Sequence, residues 1–384
     1  MSGSSFKIDR RKFMAAAASL SVAGAFYYFR ESAFVSPAIS TKRKTRLRAG
    51  HYHAAQGMDV SGLYLASAYK SRAVFEWNFE TGETHKVETQ TVVHVVETSP
   101  IDDSLSVLAT KRTDRMSMFD WNERKEISTR QLSLGEFYYG HAAFTPDGSL
   151  VLAPKVDSSG AAWIEALEVP TLRLVESYPV PRGSAHEICS VGGSKFVFSV
   201  GQSSNQPPAF VFFDLAGTKF EYVDVPIESE GKSLTMTHLK DCGDRYVGNI
   251  NVETSSTLLD GAVVSIRKSD HFVKTEIPLS SNGLTTELLS FEYDPVRRFV
   301  WVTIPHQSLI VVWNLATDSV AKKIRTPSGA FSVSLLPTLD VVVVASRTGF
   351  FAFDPATLER REAFEKKVPN ELLNGGKSSH SRLV

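Results

Sequence analysis

Short apolar runs recur along this chain at regular intervals: Leu63-Tyr64-Leu65-Ala66, Leu105-Ser106-Val107-Leu108, Leu150-Val151-Leu152-Ala153, Phe196-Val197-Phe198-Ser199, Tyr246-Val247-Gly248-Asn249, Phe299-Val300-Trp301-Val302 and Val341-Val342-Val343-Val344. They are apolar on both sides rather than alternating, so they predict strands covered on both faces. Turn signals precede them, as at Pro146-Asp147-Gly148, Gly192-Gly193 and Asp294-Pro295. A second series, in phase with the first, ends in an aromatic or aliphatic pair and a polar turn. Its members are Phe75-Glu76-Trp77-Asn78, Phe119-Asp120-Trp121-Asn122, Ile164 to Glu168, Phe212-Phe213-Asp214, Val264 to Arg267, Val311-Val312-Trp313-Asn314 and Phe351-Ala352-Phe353-Asp354. Their last residues advance by 40 to 53 positions, which is propeller-blade spacing. The pattern predicts an all-β, seven-bladed β-propeller with four antiparallel strands per blade and no borrowed strand. The segment Glu359–Lys366 would be the outer strand of the last blade.

The N-terminus breaks the pattern. Asp9-Arg10-Arg11-Lys12-Phe13-Met14 precedes a weakly apolar run from Ala15 to Phe29. That is the layout of a twin-arginine export signal, and the run is short of the roughly 20 apolar residues of a membrane span. No clean Ala-x-Ala site follows. The signal is therefore expected either to be cleaved near Ser36-Pro37-Ala38 or to stay as a membrane tether. The expected organisation is a signal and basic linker over 1–48, a propeller over 49–367 and a flexible tail over 368–384. Export would place the protein, expected to be a monomer, in the periplasm.

The formal net charge of zero hides an asymmetry. Residues 1–48 hold ten Lys or Arg and two acids, and the remainder holds 32 basic and 40 acidic residues, net −8. An acidic globular part argues against nucleic acid as partner. The two cysteines, Cys189 and Cys242, either pair in an oxidising compartment or stay free; they are too few for a disulfide scaffold.

Alignment of the units on their first strands brings the histidines together. His53, His94, His141, His186 and His238 fall at one slot of the repeat, with Ser290 and Ser332 in the last two units. In a propeller that slot begins the strand lining the central channel, so the side chains would converge on the axis. Neutral imidazole suits iron, copper, nickel and zinc, and His from separate strands is how such centres are built. Glu187, beside His186, could ligate or could fix a tautomer. A structural role and an acid/base role for the same histidines stay open. The loops expected on that face carry Lys70, Lys111, Arg112, Lys155, His306 and Arg347, of which Arg112, Lys155 and His306, with Glu187, are candidate cofactor contacts. Their charge would suit an anionic ligand. There is no Cys-x-x-Cys, His-Glu-x-x-His, phosphate loop or Gly-x-Ser-x-Gly elbow.

Tyr139-Gly140-His141-Ala142-Ala143-Phe144-Thr145-Pro146-Asp147-Gly148 resembles the Gly-His-Gly-x-Phe-Ser-x-Asp-Gly segment of an exported bacterial family, domain of unknown function fifteen-thirteen. Ala185-His186-Glu187-Ile188 resembles its Pro-His-Glu-Leu. His94 and His238 match its other recurrent histidines, and Thr303-Ile304-Pro305-His306 through Trp313-Asn314 is similar to its Thr-Ser-Pro…Val-Trp-Asp strand pair. The likeness spans roughly residues 55 to 355. It departs where Pro154-Lys155-Val156-Asp157 replaces an acidic loop and Gly201-Gln202 replaces a Gly-Gly. The resemblance implies twin-arginine export and a role near iron acquisition, with iron-uptake proteins of the imelysin type as partners. Three functions follow as expectations: a periplasmic propeller binding iron or copper at the histidines, a protein-interaction scaffold with structural histidines, and a lyase or oxidoreductase using the histidines as acid/base groups.

Overall fold

Runs that are apolar on both sides have formed strands with both faces buried: Phe196, Val197 and Phe198 are all fully covered, as are Val300, Trp301 and Val302. The structure, a computed structural model, describes residues 46–54, 69–78, 81–202, 206–227, 233–253, 258–277, 288–337, 339–346, 350–365, 377–378 and 382–383. The twin-arginine segment, its basic linker up to residue 45 and the Leu63–Ala66 run lie outside the described residues. So do Arg347 and the side chains of His53 and Lys70.

The described strands make seven antiparallel sheets. Sheet 2 holds Val95–Thr98, Leu105–Ala109, Arg115–Asp120 and Lys125–Gln131; sheet 4 holds Ala185–Gly192, Lys195–Val200, Ala209–Asp214 and Lys219–Asp224. Sheet 6 repeats that order with Phe291–Asp294, Phe299–Ile304, Leu309–Asn314 and Ser319–Arg325. In sheets 3 and 5 the first strand is broken. Ala143–Phe144 and Phe137–Tyr139 share the edge of Leu150–Val156, and Ser233–Thr235 and Leu239–Asp241 share the edge of Arg245–Glu253.

Each sheet meets the next through its own buried cluster. Val93 and Val96 pack with Val74 between sheets 1 and 2. Met116 and Met118 pack with Val151 between sheets 2 and 3, and Ile164 with Phe198 between sheets 3 and 4. The series continues through Phe210 with Ile250, Val263 with Val300, and Trp301 with Val344. It returns to the start where Leu336, Val341 and Val343 of sheet 7 bury Trp77 of sheet 1. Burying a Val, Leu, Ile or Phe side chain is worth about 1.5–3 kcal/mol, so these inter-sheet layers are the main source of stability.

The end of the circuit differs from expectation. Arg46–Ala54 pairs with Tyr69–Asn78 on one side, with His53 opposite Ser71, and on its other side with Lys377–Ser378 and Arg382–Leu383. The sheet is thus shared between the two chain ends. These two C-terminal pairs lie within the stretch expected to be a frayed tail. The segment after Phe353 makes one bridge, Phe353 to Arg360, and then a helical turn, Glu362–Glu365, instead of a full outer strand. Glu365 explains this: its Oε1 accepts from Ala352 N at 3.0 Å and Arg360 grips the same carboxylate, which curls the chain back.

Candidate metal centre

Four of the five slot histidines meet. His94 immediately precedes Val95–Thr98, His141 precedes Ala143–Phe144, His186 is the second residue of Ala185–Gly192, and His238 immediately precedes Leu239–Asp241. These are the first strands of sheets 2 to 5, and the first strands of successive sheets contact one another. Ring centroids lie 5.2 Å apart for His94–His141, 5.5 Å for His94–His186, 5.4 Å for His141–His186, 5.4 Å for His141–His238 and 5.1 Å for His186–His238. One nitrogen each of His94, His141 and His186 falls within 4.8 Å of the other two. His141, His186 and His238 are buried and His94 is half-buried.

His186 is held by backbone and His238 by Glu187, which also lies beside His141. His186 Nδ1 lies 2.5 Å from Tyr139 O. A carbonyl only accepts, so Nδ1 carries the proton. The His186 pKa is driven well below its ordinary value, first by burial and then by the positive charge of Lys111, so the ring is neutral and Nε2 presents a bare lone pair. That atom is buried and has no hydrogen-bond partner among the described residues. His94 is likewise pushed well below the usual range by burial, then by Lys111 and His238.

Glu187 serves the other two rings. His238 Nδ1 lies 3.1 Å from Oε2 and His141 Nδ1 lies 3.4 Å from Oε1, while Leu239 N donates to Oε2 at 3.2 Å. Adjacent strand residues normally face opposite ways, yet His186 and Glu187 both reach the cluster. The cause is a bulge: Ala185 pairs with Val200 and Ile188 with Phe198, so two residues oppose Ser199 alone.

Residues that the repeat pattern did not single out complete the frame. Asn249 is fully buried; its Oδ1 accepts from His238 N at 2.7 Å and Thr237 N at 3.1 Å, and its Nδ2 donates to Leu288 O at 2.8 Å. Gly140, at φ +139°, lets the chain pass against His186: a Cβ there would lie 2.2 Å from His186 Nδ1. The signals were the place of Asn249 in the repeated run Tyr246–Asn249 and that of Gly140 before His141 in the Gly-His segment.

Among the described residues of the expected cationic rim, Lys155, His306 and Arg112 make no hydrogen bond or ring contact with these rings. Lys155 Nζ is engaged by Glu136 at 3.1 Å and by the buried Glu165 at 3.3 Å, beside the Arg130–Glu165 pair at 2.7 Å. His306 is exposed in the 3-10 turn Pro305–Gln307, and Arg112 is half-buried at φ +59°. Neither has a hydrogen bond or ring contact with the four histidines among the described residues. Lys111 is the rim residue whose charge reaches them. Ser290 and Ser332 are buried at their slots in sheets 6 and 7. Cys189 and Cys242 are both free thiols, the first half-buried and the second buried.

No known family profile and no curated protein matches the chain. Among solved structures, a chain of Kuenenia stuttgartiensis hydrazine synthase is similar at 12% identity and a TM-score of 0.59, over 79% of this chain and 99% of that one. The Dos1 propeller is similar at 12% identity and a TM-score of 0.54, over 81% and 85%. At such identity the likeness speaks for fold alone. With the antiparallel sheets packed in a circuit, it gives an all-β propeller.

Proposed function

We propose that this chain is a seven-bladed propeller, each sheet one blade, that holds a transition metal where its first strands meet. His94, His141 and His186 are the ligands, His238 lines the fourth side, and Glu187 orients His141 and His238. The observation that carries the reading is His186, a neutral buried imidazole with Nδ1 spent on a carbonyl and Nε2 turned among other imidazoles. Ligating histidines are typically fixed in this way, through the second ring nitrogen, by a carbonyl or carboxylate. An imidazole donor set suits iron or copper as well as zinc and nickel.

The twin-arginine pattern supports a periplasmic setting, since that route carries folded, cofactor-loaded proteins. The resemblance to domain of unknown function fifteen-thirteen supports a place beside iron-uptake proteins. A second reading, an interaction scaffold, is supported by the propeller fold and by the apolar loop tips Ile101, Leu134 and Val296, which are 68%, 96% and 82% exposed. The deciding experiment is metal analysis by mass spectrometry on protein exported natively, beside a His141→Ala/His186→Ala variant. About one iron or copper per chain, lost in the folded variant, is the expected result. No metal in either, even after reconstitution, overturns the metal reading in favour of the scaffold.

A further inference from the structure

Glu187 does more than touch one ring. Its two oxygens stand 3.4 Å from His141 Nδ1 and 3.1 Å from His238 Nδ1, and ligand atoms of these three buried residues lie within 4.8 Å of one another. The shorter of these separations is a hydrogen bond, and both are of ion-pair length. They are also the edges of a coordination polyhedron: bonds of about 2.1 Å at the tetrahedral angle put neighbouring donor atoms about 3.4 Å apart. Two imidazole nitrogens and a carboxylate are a donor set found in catalytic zinc sites, where a fourth position stays open. The bulge in Ala185–Gly192 brings Glu187 to this side of its sheet, next to His186 but serving different partners.

We propose that His141, Glu187 and His238 form a second divalent-ion position, adjoining the one assigned to His94, His141 and His186 and sharing His141 with it. The inference rests on the reading of the histidines as metal ligands. With one ion bound, His238 Nδ1 is hydrogen-bonded to Glu187 and His141 Nδ1 faces its other oxygen at 3.4 Å. When the second ion enters, His238 keeps its proton by shifting it from Nδ1 to Nε2, the His141 Nδ1 proton leaves to solvent, and the ion takes its place between the two Nδ1 nitrogens and the carboxylate. His141 then serves one ion through each ring nitrogen, as an imidazolate. One proton departs as one dication arrives, and the remaining positive charge is met by the Glu187 carboxylate. The N/O donor set favours zinc, copper(II) or nickel(II).

The test strips the folded protein with a chelator, reloads it with zinc alone, removes excess by gel filtration and counts metal per chain. Wild type is expected to hold two ions, Glu187→Gln one and His94→Ala one. His238→Asn, also expected to hold one, keeps the test decisive should Glu187→Gln not fold. Copper(II) loading adds a spectroscopic readout: coupling across the shared ring weakens the electron-paramagnetic-resonance signal of wild type, and Glu187→Gln restores full intensity per copper. One zinc in wild type and in Glu187→Gln, with none in His94→Ala, overturns the second position and leaves the single-ion centre standing. Two ions retained in folded Glu187→Gln and His238→Asn also overturn it. No zinc in wild type overturns both readings together.

Discussion

Gly140→Ala is the substitution for which the structure gives the firmest magnitude. An added Cβ would lie 2.2 Å from His186 Nδ1, 2.5 Å from Cε1 and 2.6 Å from His186 O, where ordinary contact begins near 3.4 Å. The backbone cannot simply back away. Gly140 N donates to Thr110 O at 3.0 Å, and His141 N donates to His186 O at 2.9 Å. Three costs add: about 1–3 kcal/mol for a non-glycine residue at φ +139°, about 1–3 kcal/mol for overpacking, and about 1 kcal/mol for a broken hydrogen bond. A total of about 3–7 kcal/mol lowers the melting temperature of a ring of ~300 residues by roughly 5–11 °C.

Gly82→Ala is the control. Gly82 has φ +78° but nothing within 4 Å of an added Cβ, so it carries the conformational cost without the crowding. Scanning calorimetry of the two variants separates backbone strain from collision with His186. A displaced His186 ring should also weaken zinc binding by about 10–100-fold in a competition assay, as loss of a ligand's supporting contact does. If both variants melt together and bind zinc alike, the placement of Gly140 against His186 is wrong.

Asn249→Leu removes the acceptor of His238 N and Thr237 N and the donor to Leu288 O; the orphaned buried groups should cost about 2–5 kcal/mol in urea unfolding, and unchanged midpoints would count against the frame described. Metal-free protein should lose stability as pH falls from about 6.5. Unfolded His94 and His186 take up protons there while the folded forms, with lowered pKa values, do not, giving about 2.7 kcal/mol per pH unit until the folded values are reached. A His94→Gln/His186→Gln variant should flatten that slope in denaturant titrations at pH 7 and 5. Glu165→Ala strands Arg130 and Lys155 and should cost about 3–5 kcal/mol. Burial alone would raise the Glu165 pKa, but the Arg130 hydrogen bonds and charge, then Lys155, outweigh it. The net value is lowered, so the contribution of Glu165 is present at neutral pH and lost as pH falls through its folded pKa, which acid titration of wild type against the variant can measure.

The strands were legible because a two-sided apolar run leaves little choice of environment: every such run among the described residues lies in a strand. The histidine slot was legible for a related reason. A repeat puts equivalent positions at equivalent places on its ring, so a shared register becomes a shared location for His94, His141, His186 and His238. What stayed hidden passes through the backbone. Tyr139 contributes a carbonyl, Gly140 an absence of side chain, and the bulge at His186-Glu187 a change of facing, none of which leaves a side-chain pattern. Lys155 shows the opposite case: its charge was visible, but its buried partner Glu165, ten residues on and in the neighbouring strand, was not. The C-terminal pairs that join Arg46–Ala54 are two residues long, too short to carry periodicity.

The proposed metal reading rests on the arrangement around His186. An unmet buried donor or acceptor costs about 1–3 kcal/mol, so a bare buried ring nitrogen favours a ligand that would meet it. His186 satisfies one of its two ring nitrogens, and the neighbouring elements hold that state in place. Tyr139 O fixes the tautomer, Gly140 fixes the approach, burial and Lys111 keep the ring neutral, and His94, His141 and His238 surround it. Under the metal reading, these separate contacts order the site before any ion arrives, which lowers the cost of binding. The same logic explains the one-sided layout. Sheets 2 to 5 carry imidazoles and sheets 6 and 7 carry Ser290 and Ser332, so the ring offers a concentrated donor set on one side and small hydroxyls at the matching slots of the other.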